Sequence, residues 1–142
     1  MTESFELTIK KIIPAPVKTV FEAWLDPAAL ARFMKPGEGM EDARVDVDAR
    51  EGGSYLIVMK AGDKEIAHRG EYKTIDRYTR LAFTWLSDFT IPGSTVTLDF
   101  AERGPDQTEV TLHHVGFPNQ SARDSHEGGW SEILDMMSKA VS

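Results

Sequence analysis

Near residue 41 the hydrophobic period of this chain changes, and that change most constrains its fold. Before it, Val17, Val20, Phe21, Trp24 and Leu25 recur at helical spacing. After it, apolar and polar residues alternate with a period of two. Ala43, Val45, Val47 and Ala49 alternate with Arg44, Asp46, Asp48 and Arg50. Ser54 to Lys60 is more apolar and is read with Tyr55, Ile57 and Met59 inward. Ile66, His68, Gly70 and Tyr72 alternate with Ala67, Arg69, Glu71 and Lys73, which turns His68 and Tyr72 to the inner face. Leu81, Phe83 and Trp85 mark the next strand, Val96, Leu98 and Phe100 another, and Val110, Leu112 and His114 the last. His113 points outward. Turn signals separate these runs at Gly52-Gly53, Ala61-Gly62-Asp63, Ser87 to Gly93 and Gly104-Pro105-Asp106. Connections this short make the sheet antiparallel.

An antiparallel sheet with one apolar face needs a cover. The segment from Asn119 to Val141 supplies one long helix. On a wheel of about 100° per residue, Trp130, Ile133, Leu134, Met137 and Val141 share an arc, extended by Met136 and Ala140. Ser131, Glu132, Asp135, Ser138 and Lys139 fill the wet side. His126 falls on the Trp130 face one turn earlier. Gly128 and Gly129 stand mid-helix, where each costs about 1 kcal/mol against Ala. Glycines there imply a backbone approached closely or empty space beside it. Ser121 or Asp124 is the expected cap. Ahead of the sheet, Phe5, Leu7 and Ile9 alternate with Glu6, Thr8 and Lys10, predicting a first strand that ends near Ile13. Pro14-Ala15-Pro16 breaks it. Asp26-Pro27 ends the first helix and caps a second through Phe33, and Pro36-Gly37 closes the pair. The order is β-α-α-β(6)-α, an α+β fold in which a curved sheet grips a long C-terminal helix and leaves a cavity between them.

At 142 residues the chain is expected to form one domain, 1–142, with a real core. Its 16 basic and 23 acidic residues leave a formal charge of −7. That balance argues against a nucleic-acid partner or an anionic membrane face. No cysteine is present, so disulfides, thiolate metal sites and cysteine nucleophiles are excluded. The start, MTESFELTIKK, lacks the apolar core of a signal peptide, and no apolar run approaches 18 residues. A cytoplasmic location is the expectation.

The segments DARVDVDAREGGSYLIVM, GEYKTIDRYTRLAFTW, TEVTLHH and RDSHEGGWSEILDMM resemble the family related to the C-terminal domain of the co-chaperone that activates the heat-shock-protein-ninety ATPase. The resemblance spans nearly the whole chain, and Gly129-Trp130 before Ile133-Leu134 is its most specific mark. It implies membership of the START-like, or SRPBCC, superfamily, with its helix-grip (Bet v-like) fold. It also implies a hydrophobic cavity of the kind that superfamily uses for lipids, sterols, polyketides and hormones.

The expected pocket residues are Trp24, Tyr55, Ile57, His68, Tyr72, Phe83, Trp85, His114, Arg123, His126, Trp130 and Met137. Aromatic side chains with a few polar groups suit a ligand pocket and suit a plain core equally. His68, His114 and His126 converge from three elements. No short ligand spacing supports zinc, so no metal and no cofactor are expected. Arg123 reads either as a guard of an entrance or as a solvated helix-end charge beside Glu127. Asp46 and Asp48 lie on a wet face. No nucleophile motif, phosphate loop or dinucleotide fingerprint occurs. Three functions remain open. One is binding of a small hydrophobic or aromatic molecule. Another is a cyclase- or dehydratase-like reaction using His68 or His126 as acid or base. The third is a chaperone-related interaction module. The chain is expected to be a monomer or homodimer.

Overall fold

The computed structural model describes residues 5–34, 41–61, 63–87 and 93–141. Its elements are β1 (Phe5–Ile13), α1 (Val17–Ala23), α2 (Pro27–Phe33), β2 (Arg44–Val47), β3 (Ser54–Ala61), β4 (Lys64–Asp76), β5 (Arg80–Thr84), β6 (Thr95–Gly104), β7 (Gln107–Phe117) and α3 (Gln120–Val141). The seven strands form one antiparallel sheet in the order β1-β7-β6-β5-β4-β3-β2. Strands β2 to β7 follow as a meander, and β1 returns beside β7. The α+β helix-grip architecture is therefore the one expected from the change of period. The expected turn residues Pro36-Gly37 and Gly62, and most of the Ser87 to Gly93 loop, lie outside the described residues.

Alternation set the facing of most strand residues, with Val58 buried beside Ile57 and Met59 as an exception on β3. Tyr55, Ile57 and Met59, then His68 and Tyr72, then Leu81 and Phe83, then Val96 and Leu98, then Leu112 and His114 are all buried. His113 faces out and meets Glu6 at 3.4 Å. The pattern did not set strand length. Alternation continues to Arg50, yet β2 stops at Val47. Beyond it the backbone folds onto itself and onto β4: the Arg50 and Gly53 amides bond the Asp48 and Arg50 carbonyls, and Gly52 and Gly53 pair with Tyr72. As the sheet's edge, β2 leaves Val45 and Val47 half-buried and Ala49 exposed.

Helix α3 starts one residue later than the sequence segment read as helical. Its cap is Asn119, whose side-chain oxygen accepts the Ala122 amide at 2.8 Å, rather than Ser121 or Asp124. Asp26 caps α2 as expected, accepting from the Ala28 amide at 3.0 Å. Trp130, Ile133, Leu134 and Met137 are buried, while Ala140 is exposed. The cover is shared, contrary to the expectation that α3 alone supplies it. Helix α3 lies mainly against β1, and α2 bridges α3 and β2. Helix α1 reaches β6, where Phe21 packs on Phe100 at 4.9 Å between centroids. The reason is geometric. One helix is about 10–12 Å wide, and seven strands at about 4.8 Å spacing are far wider.

Candidate functional site

Between the sheet and the helices lies a continuous run of rings. Tyr55 packs on Tyr72 and Phe83, each at 5.6 Å, and stacks on Trp85 at 6.2 Å. Trp85 stacks on His68 at 4.6 Å and meets Trp130 at 4.7 Å. Trp130 adjoins His114, which adjoins Phe117 and His126. Ten of the twelve expected pocket residues are the apolar and histidine members of this interior or its immediate flanks. Met137 is fully buried in the packed half of α3. Arg123 is not in the interior. Its guanidinium donates to the Glu6 carbonyl at 3.0 Å and pairs with Asp124 and Glu127 at 3.0 and 2.8 Å, which ties α3 to β1.

A void of about 10 Å³ sits within this layer, walled by Trp24, Leu30, Met34, Tyr55, Ile57, Tyr72 and Phe83. That is room for about one water. Its walls are the sheet and the α1–α2 pair, and no residue of α3 lines it. Leu30 and Met34 were not among the expected pocket residues. Their signal was present, since Leu30, Phe33 and Met34 share one face of the second helix, but that helix had not been assigned to the cover.

The three inner histidines differ in what they touch. His114 is fully buried and has both nitrogens engaged. Trp130 Nε1–H donates to Nδ1 at 3.0 Å, and Nε2 lies 2.7 Å from Ser94 Oγ. An indole can only donate, so Nδ1 accepts and the proton sits on Nε2. His114 therefore donates to Ser94. Burial, with neighbouring His126 adding to it, pushes its pKa down to about 3. This pair cannot act as nucleophile and base, because the nitrogen facing the hydroxyl already carries the proton. Ser94, fully buried, was missed by the sequence reading because it sits in a loop without periodicity. Its close neighbour is Gly116, at φ +94°, where a Cβ would lie 2.6 Å from Ser94 Cα.

His126 is half-buried. Its Nδ1 donates to the Ala122 carbonyl at 2.8 Å, and its ring rests on Phe117 at 4.9 Å. Burial lowers its pKa. His68 is buried on β4, and burial lowers its pKa to about 4, with the backbone of Ile57 and Ile66 opposing. Its Nδ1 has no hydrogen-bond partner among the described residues, and neither do Trp24 Nε1 and Trp85 Nε1. The phenols are quiet by contrast. Tyr55 donates to the Thr84 carbonyl at 2.5 Å, and burial holds its pKa well above the ordinary value, with Tyr72 pushed up to about 12. No group of three potential metal ligands occurs among the described residues.

Among the described residues no helix is long and apolar enough to cross a membrane. No curated protein sequence matches the chain. Solved structures do. Protein CV1439 from Chromobacterium violaceum is 25% identical, with a TM-score of 0.87 over 96% of both chains. An AHSA1-like protein from Aeromonas hydrophila is 26% identical, with a TM-score of 0.76 over 96% of this chain and 91% of that one. An HSP90 activator from Plasmodium falciparum, 21% identical, shares the fold with a TM-score of 0.73 over 92% of this chain and 91% of that one. The family model for "Activator of Hsp90 ATPase homolog 1-like protein" matches residues 14–142. With nearly the whole chain matched, this protein belongs to the family of Hsp90 ATPase activator homolog 1-like proteins.

Proposed function

We propose that this domain binds a small, largely apolar or aromatic molecule in the ring-lined interior between the sheet and its helical cover. One observation carries the reading. Trp24 Nε1, Trp85 Nε1 and His68 Nδ1 are buried in one aromatic layer without partners among the described residues. Buried polar groups are nearly always paired, and each left unpaired costs about 1–3 kcal/mol. Three in one layer mark a place where a guest, or water standing in for it, completes the bonding. The void of about 10 Å³ is far below the ~300 Å³ of a ligand pocket. At this void, a guest larger than a water requires the layer to open. The first half of α3 is the element suited to move. It carries Gly128 and Gly129, and a Cβ at Gly128 would meet nothing within 4 Å. Of the expected pocket residues, Arg123 takes part only as the tether of this half-helix to β1. Acid–base chemistry by His68 or His126 is not part of the proposal: burial lowers both pKa values, and His126 Nδ1 is spent on the Ala122 carbonyl.

The test is a thermal-shift screen of small aromatic and lipid molecules, followed by hydrogen exchange on each hit. A true ligand at 100 times its Kd adds about 2.7 kcal/mol of stability. It should also protect amides in Ser121–Gly129. Hits that shift melting without touching α3 or the Trp24 and Trp85 segments would overturn the interior site.

The family supports a second reading, that of a chaperone-interaction module working through its outer surface. The family and the Plasmodium falciparum neighbour make a chaperone of the Hsp90 type the partner to try. An empty ligand screen together with stimulation of such a chaperone's ATPase would favour it.

A further inference from the structure

The interior's unpartnered hydrogen-bonding groups are mostly donors, and among the described residues no charged side chain is buried with them. Among the described residues the buried polar side chains are His68, Ser94, Thr108 and His114. Thr108 donates to the Ala15 carbonyl at 2.8 Å, and Ser94 and His114 bond each other. Tyr55 spends its proton on Thr84. The fully buried side-chain atoms without a partner among the described residues are two indole N–H groups, which can only donate, and one imidazole nitrogen, while Tyr72 also lines the void. Trp24 is 2% and Trp85 1% exposed, so neither N–H is served by bulk water. Trp24 lines the void with Tyr55, and Trp85 stacks on Tyr55 without lining the void, so the two indoles lie on either side of one shared ring neighbour. A full charge brought into such a layer is left unpaired and costs several kcal/mol.

We infer that the guest of this interior is an uncharged molecule that presents hydrogen-bond acceptors, such as a ketone or quinone carbonyl, to the indole N–H groups of Trp24 and Trp85. The inference rests on the ligand-binding reading and narrows it to a chemical class. It separates such molecules from fatty acids and other amphiphiles whose charged group would have to enter. His68 Nδ1 adds a third polar contact to the set.

Three probes of one shape decide it: 2-acetylnaphthalene, 2-ethylnaphthalene and 2-naphthoate, titrated at pH 7.5 and read by tryptophan fluorescence and calorimetry. The ketone should bind about tenfold more tightly than the hydrocarbon, the worth of about 1.4 kcal/mol, and the carboxylate more weakly than either. Trp24→Phe and Trp85→Phe keep a ring and lose the N–H. At least one should bring the ketone-to-hydrocarbon ratio close to one while the hydrocarbon still binds, which separates the lost hydrogen bond from lost packing. Equal binding of ketone and hydrocarbon to the wild-type protein would overturn the assignment of class and leave the ligand site standing. Binding of the carboxylate as tight as the ketone would overturn it as well. If none of the three binds, both the class and the interior site fall.

Discussion

The layer around His114 and the layer around His68 are a few side chains apart and have opposite chemistry. At His114 both ring nitrogens are engaged, one by Trp130 and one by Ser94. At His68 the Nδ1 is unpartnered among the described residues, and the same is true of Trp85 stacked upon it. Both histidines are buried, and both are held neutral by that burial. Burial and pKa therefore do not distinguish a structural imidazole from one available to a guest. The partner list does. A closed set of bonds joins β7, the loop at Ser94 and α3 into one unit, whereas an open set leaves valences for something else.

That contrast can be broken by substitution. His114→Ala should be the most damaging change, because it orphans the Trp130 N–H and the Ser94 hydroxyl and leaves a cavity. About 3–5 kcal/mol should be lost in urea unfolding. His68→Phe keeps the stack on Trp85 and removes an unpaired nitrogen, so stability at pH 7.5 should hold or rise. Equal losses at the two positions would abolish the distinction.

Acid sharpens it next. Each imidazole stays neutral in the folded protein down to about pH 4 for His68 and about pH 3 for His114. In the unfolded chain each takes a proton below about pH 6.5. Between those limits the unfolded state binds more protons, so stability present above pH 6.5 is lost as pH falls. The slope is about 1.4 kcal/mol per pH unit for each group, or on the order of 3 kcal/mol each by pH 4. Urea midpoints measured from pH 7.5 to 4.5 should show it, and His68→Phe should remove one proton's worth of slope. A flat profile above pH 5 would contradict the burial of both rings.

The smallest effect separates the two halves of α3. Gly128→Ala meets empty space at a helix-interior position and should stabilise the domain by about 1 kcal/mol. If the glycine serves opening of the interior, the same change should slow hydrogen exchange in Ser121–Gly129 and weaken ligand binding. Stabilisation without slower exchange would show that this half of the helix is not the moving part.

How much was readable beforehand follows from which forces are local. Facing was readable, because alternation converts directly into side of sheet: His68, Tyr72, Trp85 and His114 all turned inward. The length of β2 was not, because Val47 and Ala49 look alike in sequence and only the backbone's return onto Tyr72 ends the strand. Arg123 could be placed on α3 but not aimed. Its partner Glu6 lies 117 residues away. Five of the void's seven wall residues were readable. Tyr55, Tyr72 and Phe83 come from strands whose period is plain, whereas Leu30 and Met34 required knowing that the helical pair shares the cover.

By itself the amino-acid order determined the element order, the antiparallel sheet, the apolar face of the last helix and the family, since each depends on periodicity or motif within a short span. The tertiary structure decided which buried nitrogens have partners, how much space the rings leave and which helix closes that space. These depend on packing between elements that are distant in the chain. A histidine has the same two nitrogens wherever it is buried, and only its neighbours decide whether one of them is free.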